Sequence, residues 1–253
     1  IWHINDCLAM IRTIYIIIVA YFLLGGIAIY YISRKKSKEE ARHERIKFIT
    51  YFIIINGVFL SIAINPLVFR VIAGIITVVG LYELLTLFSR SGWQKKGFFF
   101  LSLVVYAILS IGFIYFSHMA KDWVLFTFVI LSVFDSFSQI AGQLFGKRKI
   151  ATKTSPNKTL EGAAGGTLMC LLTAVIIRDL IGSGLVTVIL LTAGVVIWAF
   201  LGDMAASCYK RHYNVKDYSR LIPGHGGVLD RFDSMIAAGA WMALMGTLIN
   251  FTS

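Results

Sequence analysis

The sequence predicts an all-α polytopic membrane helix bundle of about eight transmembrane helices, with both termini on the non-cytoplasmic side. Three observations carry that expectation. Of the 253 residues, 58% are hydrophobic, and the 22 glycines raise the share to about two-thirds, against roughly 45–50% in a soluble domain. The apolar residues come in long unbroken runs, not in the short alternating segments of a barrel. The net charge of +11 arises from 24 basic residues gathered between those runs. Too little polar surface remains for a soluble nucleic-acid binder of that charge. The hydrophobicity excludes a disordered chain, and three cysteines in a chain of this length do not make a disulfide scaffold.

A helix needs about 20 mostly apolar residues to cross the hydrocarbon core. The runs that meet or approach this are 14–32, 48–64, 67–88, 98–117, 123–145, 162–178, 185–201 and 234–250. The first carries no charge. Only the Asn65-Pro66 turn signal separates the second from the third. The sixth and seventh are short, and the sixth opens with Gly162, Gly165 and Gly166. All three prolines (Pro66, Pro156, Pro223) fall between runs. The first run is too long for a cleavable signal and lacks a small-residue cleavage site. Ile1 is no initiator methionine, which reads as a truncated or processed start.

The basic residues then fix sidedness. Segments 33–47, 89–97, 146–161 and 202–233 together hold 20 of the 24. Arg12, Lys121 and Arg178 lie on the other side, and Arg70 lies within the third run. This is the positive-inside pattern, with four basic cytoplasmic loops.

Charged groups inside spans are costly and mark function by default. Two stand out. Glu83 lies in the inner half of the third span. Asp135 lies mid-way along the fifth, where Ser132, Ser136, Gln139 and Gln143 form a polar stripe at helical spacing. A hydrogen-bonded seam between helices is the alternative for both.

The densest chemistry is in 202–233, where Asp203, Asp217, Asp230 and Asp233 stand among five bases and the run Pro223-Gly224-His225-Gly226-Gly227. Carboxylates beside lysines and arginines suit a divalent cation held between protein and phosphates, because Mg²⁺ takes hard oxygen ligands. Glycine-rich backbone lets a phosphate approach closely. Topology alone explains the bases but not four acids and a glycine cluster. If the seventh helix continues beyond 201, Asp203, Ser207 and Lys210 or Arg211 share one face. Asp230 and Asp233 also complement the dipole at the start of the eighth. The loop at 146–161 repeats the theme. Ser155-Pro156-Asn157-Lys158 reads as a turn before a helix start, with Glu161 and Gly162 at the head of the sixth span.

The two loops together resemble the phosphatidate cytidylyltransferase (CDP-diacylglycerol synthase) family. The resemblance rests on Ser207-Cys-Tyr-Lys210-Arg211, four residues, Lys216-Asp217, then Pro223-Gly-His225-Gly226-Gly227, two residues, and Asp230-Arg231-Phe-Asp233. Ser155-Pro156-Asn157-Lys158-Thr159-Leu160-Glu161-Gly162 is similar to a second family landmark, and Asp135 stands where these enzymes place an intramembrane acid. Residues 123–250 carry the match, with Glu83 the one candidate exception before them, so 1–122 reads as N-terminal membrane helices and 123–253 as the catalytic membrane region. Tyr209, Ala206 and the surroundings of Asp135 depart from the usual pattern.

The resemblance implies transfer of CMP from CTP to phosphatidic acid, releasing pyrophosphate, in a bacterial inner membrane with the active site on the cytoplasmic face. It implies Mg²⁺ on Asp203 and Asp230, leaves a second, monovalent cation open, and extends to a homodimer. Lys210, Arg211, Lys216 and Arg231 would contact phosphates, and His225, Gly226 and Gly227 would shape the nucleotide pocket. Ser155, Pro156, Lys158, Thr159 and Glu161 would line it from the opposite loop, beside Ser207. Asp135, Asp217 and Asp233 would be further ligands or orient the bases. The rivals are a CTP-dependent lipid kinase, a cytidylyltransferase of another lipid phosphate and, remotely, a transporter, which would show repeat symmetry and broken helices at mid-membrane.

Overall fold

A computed structural model describes residues 4–34, 37–224 and 226–252. Eight helices account for most of it: α1 (Ile4–Ser33), α2 (Lys38–Ile64), α3 (Pro66–Arg90), α4 (Lys96–Ser117), α5 (Lys121–Phe145), α6 (Leu160–Ile176), α7 (Leu185–His212) and α8 (Leu229–Thr252). Seven of these are long and apolar enough to cross a membrane, and α6, at 17 residues, is a shorter apolar helix. The all-α membrane bundle expected from the sequence is what is found.

The helix ends have local causes. Ser37 caps α2 and forms a capping box with Glu40. Asn65 closes α2 and caps α3 through Leu67 N–H, with Pro66 in the first turn where its missing donor costs nothing. Several predicted boundaries move: α1 starts at Ile4 and α2 at Lys38, each ten residues ahead of its apolar run. Helix α7 runs past 201 to His212, because no breaker interrupts Met204-Ala205-Ala206. It stops where Asn214 turns to φ +57°. Helix α8 starts at Leu229, ahead of the predicted 234.

The loop at 146–161 also differs from its reading as a turn and helix start. Lys149–Ala151 (β1) and Ser155–Thr159 (β2) pair as an antiparallel hairpin, Ala151 opposite Ser155. The turn lies one step earlier, and α6 begins only at Leu160, capped by Thr159 Oγ1 on Gly162 N–H at 3.1 Å.

Lipid tails are as apolar as leucine, so helices in a bilayer associate through close packing at small residues. The most extensive contacts are α5 on α6, α7 on α8 and α4 on α8. Each has a glycine at its closest point. A methyl on Gly162 would stand 2.7 Å from the Ser138 carbonyl oxygen, one on Gly202 2.8 Å from the Asp233 carbonyl, and one on Gly112 2.7 Å from Ala240 Cβ. The first two approaches seat α5 on α6 and α7 on α8, and the polar cluster lies among these four helices.

Candidate active site

A cavity of about 730 Å³ opens among these helices. Helix α5 brings Asp135, Ser138 and Gln139 to its wall. The hairpin and the start of α6 bring Asn157, Lys158 and Thr159, and α7 brings Asp203. The segment between α7 and α8 adds Lys216, Asp217, Ser219, Arg220 and Gly226, and α8 adds Arg231 and Ser234. Helix α2 contributes Glu44, Lys47 and Tyr51, which the sequence reading did not select. Their i, i+3, i+7 spacing puts them on one helix face, but Lys47 had been absorbed into the topology count.

Helix α7 reaches the cavity because of its extra turns. Ser207 Oγ donates to Asp203 Oδ1 at 3.3 Å, one helical turn away. Asp203 pairs with Lys158 of the hairpin, and its side chain keeps 35% exposure. Arg231 approaches Asp135 at 3.8 Å and stacks its guanidinium over the Tyr51 ring, 5.0 Å from the centroid. Asp135, Asp203 and Asp233 lie near enough for their charges to act on one another. Lys47, Lys216 and Arg220 also line the cavity, and among the described residues none of them is in an ion pair.

Several predicted residues lie behind this wall. Asp230 is 4% exposed. One of its oxygens pairs with Lys210, and the other accepts from Tyr218 N–H at 2.7 Å and Gly227 N–H at 2.8 Å. It sits just behind Gly226, where φ is +82° and a methyl would meet Asp230 Oδ2 at 2.7 Å. Glycine is required there on both counts. Arg211 ties the hairpin to the loop by donating to the carbonyls of Thr154 (3.2 Å) and Val215 (2.9 Å). Glu161 accepts from the N–H groups of Lys147 (3.0 Å) and Arg148 (3.1 Å), fixing the hairpin's entry. Asp233 is buried and accepts from Ser234 N–H at 2.6 Å. Ser155 and Pro156 serve in β2, and neither they nor Gly227 line the cavity. Burial holds the Tyr218 phenol well above its ordinary range, so it stays neutral under the Lys210 ammonium, 5.3 Å from its ring centre. His225 lies outside the described residues.

Among the described residues, no three acids, cysteines or histidines are grouped to hold a metal alone. Mg²⁺ does not require that, since it usually binds one or two carboxylates and completes its shell with water and substrate phosphate. Asp203 and Asp135 offer hard oxygens to the cavity, and Asp230 lies one residue behind it. The donor chemistry therefore fits a divalent cation.

A second, apolar groove runs between α1, α2 and α5, lined by Ile18, Tyr21, Phe22, Gly25, Ile55 and Ile140. It shares Ile29, Phe48, Tyr51, Ser136 and Gln139 with the cavity, so the two adjoin.

The sequence pattern of the Cytidylyltransferase family matches residues 8–249, nearly the whole chain. A phosphatidate cytidylyltransferase of Staphylococcus epidermidis is 34% identical over 225 residues, covering 85% of this chain and 84% of the relative. One from Staphylococcus haemolyticus is 36% identical over 159 residues, covering 59% and 61%. One from Haemophilus influenzae is 44% identical over 120 residues, 45% of this chain and 42% of its own length. The match takes in the N-terminal helices, which the motifs alone had left generic, and with it the chain is placed: it belongs to the cytidylyltransferase family.

Proposed function

We propose that this protein is a CTP:phosphatidate cytidylyltransferase, making CDP-diacylglycerol and pyrophosphate from CTP and phosphatidic acid. The observation that carries the reading is a polar, cation-lined cavity adjoining an apolar groove, in a chain whose relatives bear that name. A substrate polar at one end and apolar at the other needs both compartments. A lipid kinase would release CDP instead of pyrophosphate.

In this reading a phosphate oxygen of the lipid attacks the α-phosphorus of CTP, and the bond from that phosphorus to the bridging β-oxygen breaks. Such a transfer asks the protein for positioning and charge neutralisation rather than covalent help. Lys216, Arg220 and Lys158, around Gly226, take the triphosphate. Lys47 stands beside Phe48 and Tyr51, where cavity and groove meet, and takes the lipid phosphate. Asp203 would hold Mg²⁺, with Asp135 as the further cavity-facing carboxylate, and Asp230 would join them on exchanging Lys210 for the cation. Bound there, Mg²⁺ supplies positive charge to the phosphate oxygens. The basic segments support a cavity on the cytoplasmic face, in this reading of a bacterial inner membrane with both termini outside.

The test is purified protein with labelled CTP, phosphatidic acid and Mg²⁺, followed for lipid-linked CMP and pyrophosphate. Asp203→Ala should lose nearly all turnover while still inserting. For Asp230 the asparagine variant is the informative one, since alanine would strand Lys210 without its buried partner at a cost of about 3–5 kcal/mol. Mg²⁺ should raise the melting temperature of the wild type in the presence of CTP, and less so in either variant. CDP as product, or full activity in Asp203→Ala, sinks the assignment.

A further inference from the structure

Glu83 is 1% exposed, near the inner end of α3, outside the motifs that carry the family likeness. An isolated buried carboxylate is costly to desolvate. Among the described residues no lysine or arginine pairs with it. Its partners are three donors from one segment. Ser219 Oγ (2.6 Å) and Val228 N–H (3.0 Å) donate to Oε1, and Leu229 N–H (2.7 Å) donates to Oε2. Leu229 opens α8, so the carboxylate sits on that helix's N-terminus, where the dipole favours negative charge.

We propose that Glu83 is a positioning residue for the nucleotide. By holding Ser219 at one end and Val228 and Leu229 at the other, it fixes the strap that presents Arg220 and Gly226 to the cavity. Three features agree. Gly227 has no room for a side chain because the Glu83 carboxylate occupies that space. Asp230 holds the same strap from the opposite side through Tyr218 and Gly227. The next residue on α3, Leu84, accepts the Tyr209 hydroxyl at 3.0 Å, which ties the end of α7 to the same wall. Helix α3 is thus the rigid back plate on which the strap is mounted, and the strap carries the residues that touch substrate.

This inference rests on the cytidylyltransferase reading. Its test compares wild type, Glu83→Gln and Gly227→Ala as purified full-length protein. Glutamine keeps the shape but turns an NH₂ toward donors. Alanine at 227 pushes a methyl into the carboxylate. Each should raise KM for CTP about tenfold or more, the scale of one lost hydrogen bond to a charged group, while KM for phosphatidic acid stays within roughly twofold. The double variant should be little worse than either single one, because both displace the same strap. Hydrogen exchange over 217–229 should quicken in both. A purely structural Glu83 would lower yield or melting temperature and leave KM for CTP unmoved in the folded fraction; that result overturns the proposal, as does an equal rise in both KM values. If Glu83→Gln does not accumulate folded, Gly227→Ala decides by the same criteria. A wild type that transfers no CMP refutes the function reading instead, and unchanged exchange in the variants would then refute the anchoring by itself.

Discussion

Lys47→Met separates the two halves of the proposed site. Lys47 comes from α2, lines the cavity beside Phe48 and Tyr51, which also line the apolar groove, and is in no ion pair among the described residues. Its stem packs on the glycine loop, since a methyl at Gly224 would meet Lys47 Cγ at 3.0 Å. Methionine keeps an unbranched stem of similar reach, so packing is largely retained and the ammonium alone is removed. A hydrogen bond between a cation and a phosphate contributes about 1.5–3 kcal/mol, and each 1.4 kcal/mol is tenfold. The variant should therefore lose roughly 10- to 150-fold in kcat/KM for phosphatidic acid.

The loss should fall on one substrate. Initial rates measured with each substrate varied in turn, in detergent micelles at fixed surface dilution, should show KM for phosphatidic acid rising and KM for CTP unchanged. Lys47→Arg, which keeps the charge, should recover most of the activity. A rise in KM for CTP, or no change in either constant, would refute the placement of the lipid phosphate at α2.

Two further outcomes follow from the packing. Gly25 borders the apolar groove, and a methyl there would have ordinary contacts, 3.8 Å from Phe48 and 3.9 Å from Ile140. A leucine would fill the groove, so Gly25→Leu should reduce turnover of dioleoyl phosphatidate several-fold more than that of the dihexanoyl lipid, measured side by side. Gly112→Leu drives a side chain into Ala240 at the α4–α8 contact, away from the cavity. It should destabilise by about 1–3 kcal/mol through overpacking, seen as a lower melting temperature, while both KM values of the folded enzyme are unmoved.

What the sequence displays best is what depends on composition over a window. Spans are legible because crossing a bilayer demands a long apolar run whatever its neighbours are. The motif residues are legible because they cluster along the chain. Partnerships are not. Asp230 and Asp203 look equivalent in sequence, yet one is held by Lys210 and two backbone N–H groups and the other faces the cavity with Lys158. Glu83 was visible as a charge inside a span, but two of its three partners are backbone donors, which leave no mark on residue identity. Lys47 was hidden by its own segment, where every lysine already had a reason to be there. The hairpin was missed because Pro156 signals a turn, and only its pairing with β1 makes the segment a strand.

The pairing pattern also bears on why a divalent cation would suit the proposed site. The cavity is lined by Lys47, Lys158, Lys216, Arg220 and Arg231 against Glu44, Asp135, Asp203 and Asp217, a margin of one positive charge. Lys210 and Asp230, just behind, cancel each other. A nucleoside triphosphate and a lipid phosphate together bring several negative charges into a space walled by helices, where the effective dielectric is far below that of water and unbalanced charge is expensive. Side chains with a surplus of one cannot neutralise them. Adding more lysines would cover the shortfall with flexible point charges, whereas a divalent metal held by the cavity carboxylates would supply two charges at one position. The acids that looked redundant in a basic loop then have a role: they would provide the oxygens that make the cation's position specific.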